Sequence, residues 1–151
     1  MISQKLRQYL DSNAVTYQTA LHEPTVDASR TAQAAHVRGR EFAKTVVVKS
    51  NGRLFMTVLP STDRVHLDEL RRSMGSQDVE LADEDDIRQA FPDCELGAMP
   101  PFGNLYNMDV FVSEHLREDD RISFNAGSHD EVMQMRYQDY DRLVQPQVLH
   151  F

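Results

Sequence analysis

Ala43-Lys44-Thr45-Val46-Val47-Val48-Lys49, then Asn51-Gly52, then Leu54-Phe55-Met56-Thr57-Val58-Leu59 is the stretch that decides the fold. The first run is β-branched, and the last returns with the same apolar character. Asn-Gly is the favoured two-residue turn between antiparallel strands. Both faces of both strands are largely apolar, so the pair belongs in the middle of a sheet, covered on both sides.

Working outward, Ile2, Leu6, Tyr9 and Leu10 recur at helical spacing and predict an amphipathic helix over 2–12. Residues 15–21 alternate loosely and predict a strand. Thr25 or Asp27 caps a second helix over about 28–37, and Ala28, Ala32, Ala35 and Gly39 give it a smooth face for a sheet. Downstream, helices are expected over 67–74, 83–91 and 137–144, and strands over 108–112, 121–124 and 131–136. Acids crowd the first turn of the 83–91 helix, where the helix dipole favours them. Helices and strands interleave, with hairpins among the strands. The expected fold class is therefore mixed α/β (α+β), with a mixed β-sheet, curled or closed, and helices packed outside. At 151 residues, with no repeat or linker, the chain reads as a single domain over 1–151.

Composition narrows the function classes. Apolar residues are 40% and charged residues 26%, as in a folded globular protein. No run reaches the roughly 18 apolar residues of a membrane span, and no apolar signal core follows the first residues, so no membrane partner and a cytoplasmic location are expected. The formal net charge of −8 excludes a broad DNA- or RNA-coating role while leaving room for a grip on a short RNA end by a few local cations. Cys94 is the single cysteine, which excludes an internal disulfide and a thiolate metal cage. Its setting, Asp93-Cys94-Glu95, opposes thiolate formation and favours a half-buried thiol. No histidine pair has metal-ligand spacing, and no P-loop, dinucleotide fingerprint or nucleophile elbow occurs.

Three elements could carry chemistry. Lys44 opens an apolar strand and shares a face with Val46 and Val48. It is either a strand-end lysine with its ammonium in water or a cation at the mouth of a pocket. Lys49, beside the turn on the opposite face, reads as solvated. Gly97-Ala98-Met99-Pro100-Pro101-Phe102-Gly103 is stiffened at its centre by prolines. It is either a plain helix-to-strand connection or a fixed array of N–H donors from Gly97, Ala98 and Met99, suited to an oxyanion. Phe124-Asn125-Ala126-Gly127-Ser128-His129 is either a tight turn with a surface histidine or a wall offering Asn125, Ser128 and His129 to a polar ligand, with Gly127 permitting close approach.

With these three elements in this order, together with Leu21-His22-Glu23-Pro24-Thr25 and Asp139-Tyr140-Asp141-Arg142-Leu143-Val144, the chain resembles the YbaK/EbsC-type domains. These are trans-acting aminoacyl-tRNA deacylases related to the insertion domain of bacterial prolyl-tRNA synthetases. The resemblance covers nearly the whole chain and implies a mixed sheet curled into a partial barrel. It implies that Lys44 is the essential lysine, that Gly97 and Pro101 belong to a G-x-x-x-P loop, and that Asn125, Gly127 and His129 line the opposite wall. The expected catalytic set is Lys44, Gly97 and His129. The expected substrate-binding set is His22, Thr45, Ala98, Met99, Pro101, Phe102, Gly103, Asn125, Gly127 and Ser128.

The expected activity is hydrolysis of the ester of mischarged tRNA by positioning and backbone oxyanion stabilisation, with no cofactor and no metal. A small amino acid such as Ala or Cys, on tRNA for proline, is the expected substrate. The expected partners are the aminoacylated 3′ end of tRNA and an aminoacyl-tRNA synthetase, with no DNA. The rivals are a non-catalytic amino-acid or nucleotide-binding module that joins a synthetase, and a small hydrolase with His129 as its base.

Overall fold

The computed structural model describes residues 3–21 and 39–150. In chain order its elements are α1 (Gln4–Ser12), β1 (Tyr17–Leu21), a 3-10 turn at Gly39–Glu41, β2 (Phe42–Ser50), β3 (Arg53–Pro60), α2 (Leu67–Met74), β4 (Glu80–Leu81) and α3 (Glu84–Ala90). A 3-10 turn at Gly103–Tyr106, β5 (Val110–Ser113), α4 (Glu114–Arg117), β6 (Arg121–Asn125), β7 (Glu131–Arg136), α5 (Tyr137–Val144) and β8 (Gln147–Leu149) complete them. The helix expected over about 28–37 and His22 lie outside the described residues.

The hairpin organises the rest. Asn51 and Gly52 both take positive φ, 51° and 79°, as the tight hairpin turn requires. The turn sets β2 against β3 from Ala43↔Pro60 to Ser50↔Arg53. The full order is β1-β7-β6-β2-β3-β5-β8, with β4 on β2. The β2–β6, β3–β5 and β5–β8 pairs are parallel and the others antiparallel. The sheet is thus mixed and open, with β1 and β8 as edges, and the hairpin lies in its interior.

One face carries the larger core, which joins Ala43, Val47, Met56, Val58, Phe124 and Met133 to Leu6 and Leu10 of α1 and to Phe102 and Tyr140. The other carries a smaller cluster of Val48, Leu70, Val79, Phe111 and Leu149.

β4, β8 and α4 add to the expected elements. Lys49 is a correction: its ammonium pairs with Asp86 of α3 at 3.3 Å and is not simply solvated. Gly39 sits in the 3-10 turn before β2, where a Cβ would meet Thr62 Cγ2 at 2.8 Å. A side chain there would have to displace the Thr62 methyl.

Candidate active site

β2 changes partner along its length. It pairs with β6 at Phe42 and Ala43, and with β4 at Val48 and Lys49. Residues 44–47 run between the two partners, and Ala82 N–H closes the far side on the Val47 carbonyl at 3.0 Å. Lys44 and Thr45 therefore stand at a notch in the sheet, one step beyond the Ala43↔Phe124 pair. Asn125 is the last residue of β6 and stands beside them.

Alternation separates the two. Thr45 shares the larger core's face with Ala43, Val47 and Phe124, and its Cα partner across β3 is Val58. Lys44 leaves from the other face with Val46 and Val48, half-buried and engaged by neighbouring groups. Asn125 shares the Lys44 face.

Beyond Asn125 the chain turns and meets the 97–103 loop, and the junction is dense. Gly127 N–H donates to the Ala98 carbonyl at 3.0 Å, and Glu95 N–H donates to the Gly127 carbonyl at 2.8 Å. The His129 N–H donates to Glu95 Oε1 at 3.0 Å. The His129 ring lies against Gly97, where a Cβ would come within 3.3 Å of Cε1. Gly97 holds φ +85°, a conformation that favours glycine, and a side chain there would also press on the His129 ring. Glu95 thus ties the loop to the turn through its N–H and its carboxylate.

His129 Nε2 lies 2.6 Å from the Leu96 carbonyl oxygen. A carbonyl oxygen only accepts, so Nε2 carries the proton and Nδ1 presents a lone pair. That Nδ1 is buried without a partner. Among the described residues, five buried side-chain atoms lack a hydrogen-bond partner, and Thr45 Oγ1, Asn125 Oδ1 and His129 Nδ1 are three of them. Burying such atoms unpaired costs about 1–3 kcal/mol each. Asn125 Oδ1, on the Lys44 face, and His129 Nδ1, on the turn that follows, suit a site completed by a polar ligand, whereas Thr45 Oγ1 lies on the opposite, core face.

The expected N–H array is narrower than the sequence suggested. Ala98 N–H is already used on the Glu95 carbonyl at 3.0 Å. Gly97 N–H faces the Met99 thioether at 3.2 Å, a weak acceptor that a carbonyl oxygen would outcompete.

Other expected ligand contacts have structural occupations. Phe102 is fully buried in an aromatic cluster, with ring centroids 5.3 Å from Tyr140 and 5.7 Å from Phe124. The Pro101 carbonyl accepts the Tyr140 hydroxyl at 2.7 Å. A Cβ on Gly103 would strike Val110 at 2.6 Å. Gly127, at φ +111°, faces Ser3 of the α1 N-cap, where a Cβ would come within 3.2 Å, so the close approach there is by the protein itself. Ser128 donates to Asp130 at 2.6 Å.

An open cleft of about 700 Å³ adjoins the turn, lined by Ser3, Lys5, Asp93, Cys94, Glu95, Gly127 and Ser128 among others. Burial works against ionisation of Asp93, but hydrogen bonds from the Ser3 and Tyr106 hydroxyls outweigh it and hold the carboxyl below its ordinary range. Ser3 Oγ reaches Asp93 at 2.5 Å. Burial pushes the Cys94 thiol up to about 12, with the charge of Asp93 adding to it, so a thiolate nucleophile is absent near neutral pH. Among the described residues, no group of three or more His, Cys, Asp or Glu is placed to hold a metal ion. None of their helices is long and apolar enough to cross a membrane.

A model of the aminoacyl-tRNA editing domain matches residues 22–143, most of the chain and all three elements described above. The chain belongs to the aminoacyl-tRNA editing domain family. It is 26% identical over 153 aligned residues to the multifunctional Ser/Thr-tRNA deacylase ProXp-y of Escherichia coli K12, covering 98% of this chain and 91% of the relative. Among solved structures, hypothetical protein APE2540 superposes with a TM-score of 0.85 at 18% identity, covering 96% of this chain and 97% of the other. A protein proposed as a trans-editing enzyme for prolyl tRNA synthetase superposes with a TM-score of 0.83 at 17% identity, covering 98% and 94%. At these identities the structural likenesses speak for the fold.

Proposed function

We propose that this editing domain hydrolyses the ester of a mischarged tRNA in trans, with the aminoacyl group at the notch where β2 changes partner. The observation that carries the reading is the pair of buried acceptors left without partners on Asn125 and His129, beside a loop whose Gly97 is pressed on His129. An aminoacyl ester brings an α-ammonium with three donors, which suits that set.

Lys44 supplies the cation and holds the ester oxygen or the terminal nucleotide. The Gly97 N–H, freed from the Met99 sulfur, and the Met99 N–H hold the developing oxyanion. A water attacks the carbonyl carbon, its proton relayed through the neighbouring ribose hydroxyl, the bond to the tRNA ribose oxygen breaks, and that oxygen leaves with a proton. His129 Nδ1 accepts a hydrogen bond from the ammonium or from the attacking water.

The polar set also bears on which amino acid is removed. An apolar pocket separates analogues that differ by a methylene by only about 1–3 kcal/mol, whereas one built to bond a hydroxyl rejects the analogue lacking it far more strongly. With His129 Nδ1 taking the ammonium, Asn125 Oδ1 is left to accept a side-chain hydroxyl, which favours serine or threonine, the amino acids in the relative's name, over the alanine or cysteine expected from the sequence. A synthetase that makes such errors is the second partner on this reading.

The test is a deacylation panel. tRNAs charged with Ser, Thr, Ala, Cys and Pro are mixed with the purified protein and with Lys44→Ala. Clearance of Ser- and Thr-tRNA that is lost in Lys44→Ala is the expected result. Clearance of none of them, or unchanged clearance by the variant, overturns the reading.

A further inference from the structure

β6 begins in a setting opposite to its end. Arg121 stands directly across from Arg136 of β7, and both are exposed. Like charges facing each other across strands destabilise a sheet. Arg117 of α4 bears on the Tyr137 hydroxyl beside them. The three arginines line a pocket of about 550 Å³ with Tyr137 and Gln138. Arg136 Nη2 donates to Gln138 Oε1 at 3.1 Å. Arg71, Arg72, Arg88 and Arg142 each have a carboxylate partner. Among the described residues, Arg117, Arg121 and Arg136 have none; Arg7, Arg40, Arg53 and Arg64 have none either, but it is these three that share one pocket.

Glu118, Asp119 and Asp120 also line this pocket, yet none is within ion-pair distance of the arginines. Asp119 carries a buried, unpartnered Oδ2, and burial, aided by Glu41, pushes its carboxyl up to about 6. The Asp120 carbonyl is occupied by the Tyr137 N–H at 3.0 Å. A smaller pocket of about 100 Å³ shares Arg121 and Arg136 and adds Thr16, Tyr17, Gln18 and Gln134, which are uncharged hydrogen-bonding groups.

The position relative to the notch is fixed by the strand. Arg121, Ser123 and Asn125 share one face of β6, and Gln134 Nε2 bridges to Ser123 Oγ at 3.2 Å in the row between. Four residues at about 3.3 Å each place Arg121 about 13 Å from Asn125. A chain of net charge −8 has no general attraction for a polyanion, so its grip on RNA has to come from local unpaired guanidiniums.

We propose that Arg117, Arg121 and Arg136 form a phosphate-binding anchor for the backbone of the RNA whose 3′ end enters the notch beside Asn125. The identity of the polyanion rests on the deacylase reading, and the anchor itself rests on the arginines. The neighbouring acids keep the anchor modest and confine the phosphate to the guanidinium side.

The experiment uses the full chain and a fluorescein-labelled RNA hairpin with an acceptor-like stem and a single-stranded 3′ end, carrying no amino acid. Anisotropy titrations over a salt series compare wild type with Arg121→Gln/Arg136→Gln and with Arg53→Gln, whose guanidinium lies over Phe55 on another strand. The double variant is expected to bind about tenfold more weakly, with a log–log salt slope shallower by about 2, and Arg53→Gln to match wild type. An unchanged affinity and slope in the double variant overturns the proposal. So does equal weakening by Arg53→Gln, which means diffuse attraction, or an equal loss for free AMP as for the hairpin, which means a mononucleotide site. Melting curves on all three proteins exclude misfolding. Failure of wild type to clear charged tRNA overturns the deacylase reading and leaves the hairpin titration to decide the anchor.

Discussion

At Asn125, β6 ends buried and uncharged, next to acceptor atoms that have no partner. At Arg121, four residues earlier, it begins exposed, with guanidiniums that have no counter-ion. Both ends are incomplete, in different currencies: the first lacks hydrogen-bond donors and the second lacks anions. A desolvated end suits chemistry because fixed polar groups act most strongly where water is excluded. An exposed, charged end suits grip, because it supplies affinity and leaves the reacting bond alone. An aminoacylated RNA end carries a donor-rich ammonium and a run of phosphates, the two things the strand lacks.

The comparison breaks most decisively at Lys44. Lys44→Ala is expected to lower kcat on charged tRNA by on the order of 10²–10³ while hairpin affinity falls far less. A variant that loses affinity and keeps kcat moves Lys44 to the gripping end. Glu95 sharpens the buried end next. Glu95→Ala removes the acceptor for His129 N–H and is expected to reduce kcat about tenfold, with KM little changed, since one charge-assisted hydrogen bond is worth about 1.5–3 kcal/mol. Glu95→Gln retains an oxygen at that place and is expected to recover most of the rate. Equal loss in both variants assigns the role to the charge and not to positioning of the turn.

Asp119 tests the exposed end by pH. Its carboxyl titrates near 6, above the ordinary 3.8, so the folded state prefers the protonated form. That preference stabilises the fold below pH 3.8 and is lost as pH rises through about 6. Asp119→Asn is therefore expected to raise Tm at about pH 8, with the two curves converging near pH 4, and to tighten hairpin binding slightly by removing a nearby negative charge. A Tm gain that persists at low pH contradicts the assignment. The smallest effect is expected at Cys94, whose thiol is held near 12. Cys94→Ala should keep wild-type turnover within about twofold, and iodoacetamide at about pH 8 should label the native protein slowly.

What was legible in the sequence was local. The hairpin rests on one dipeptide and two apolar runs, and the helices at Leu67–Met74 and Tyr137–Val144 were read to the residue. β4 and β8 have two and three residues, too short for any periodicity, and each forms only because a distant strand offers an edge. The site divided along the same line. Gly97 and His129 stood out in the sequence as candidates, but their contact passes through Glu95 and Leu96, and no pattern within the loop announces it. Phe102 and Gly103, expected at the ligand, are packed against aromatic partners and Val110 that arrive from other elements. The Arg121–Arg136 pair was invisible until the β6–β7 register placed the two opposite each other.

The joint between β2 and β6 spans two residue pairs, whereas β2 and β3 share eight. The sheet is thus two pieces hinged on a short parallel seam, and the notch opens on that seam. Local opening follows the weakest pairing. The amide proton of Asn125, which faces β2, should exchange with solvent well before those of Val46 and Val58, and the seam forms only after a long stretch of chain has closed into a loop. The residues proposed to meet the ester are thus the last to be assembled and the first to be released, so loss of activity should precede loss of fold as the protein is warmed.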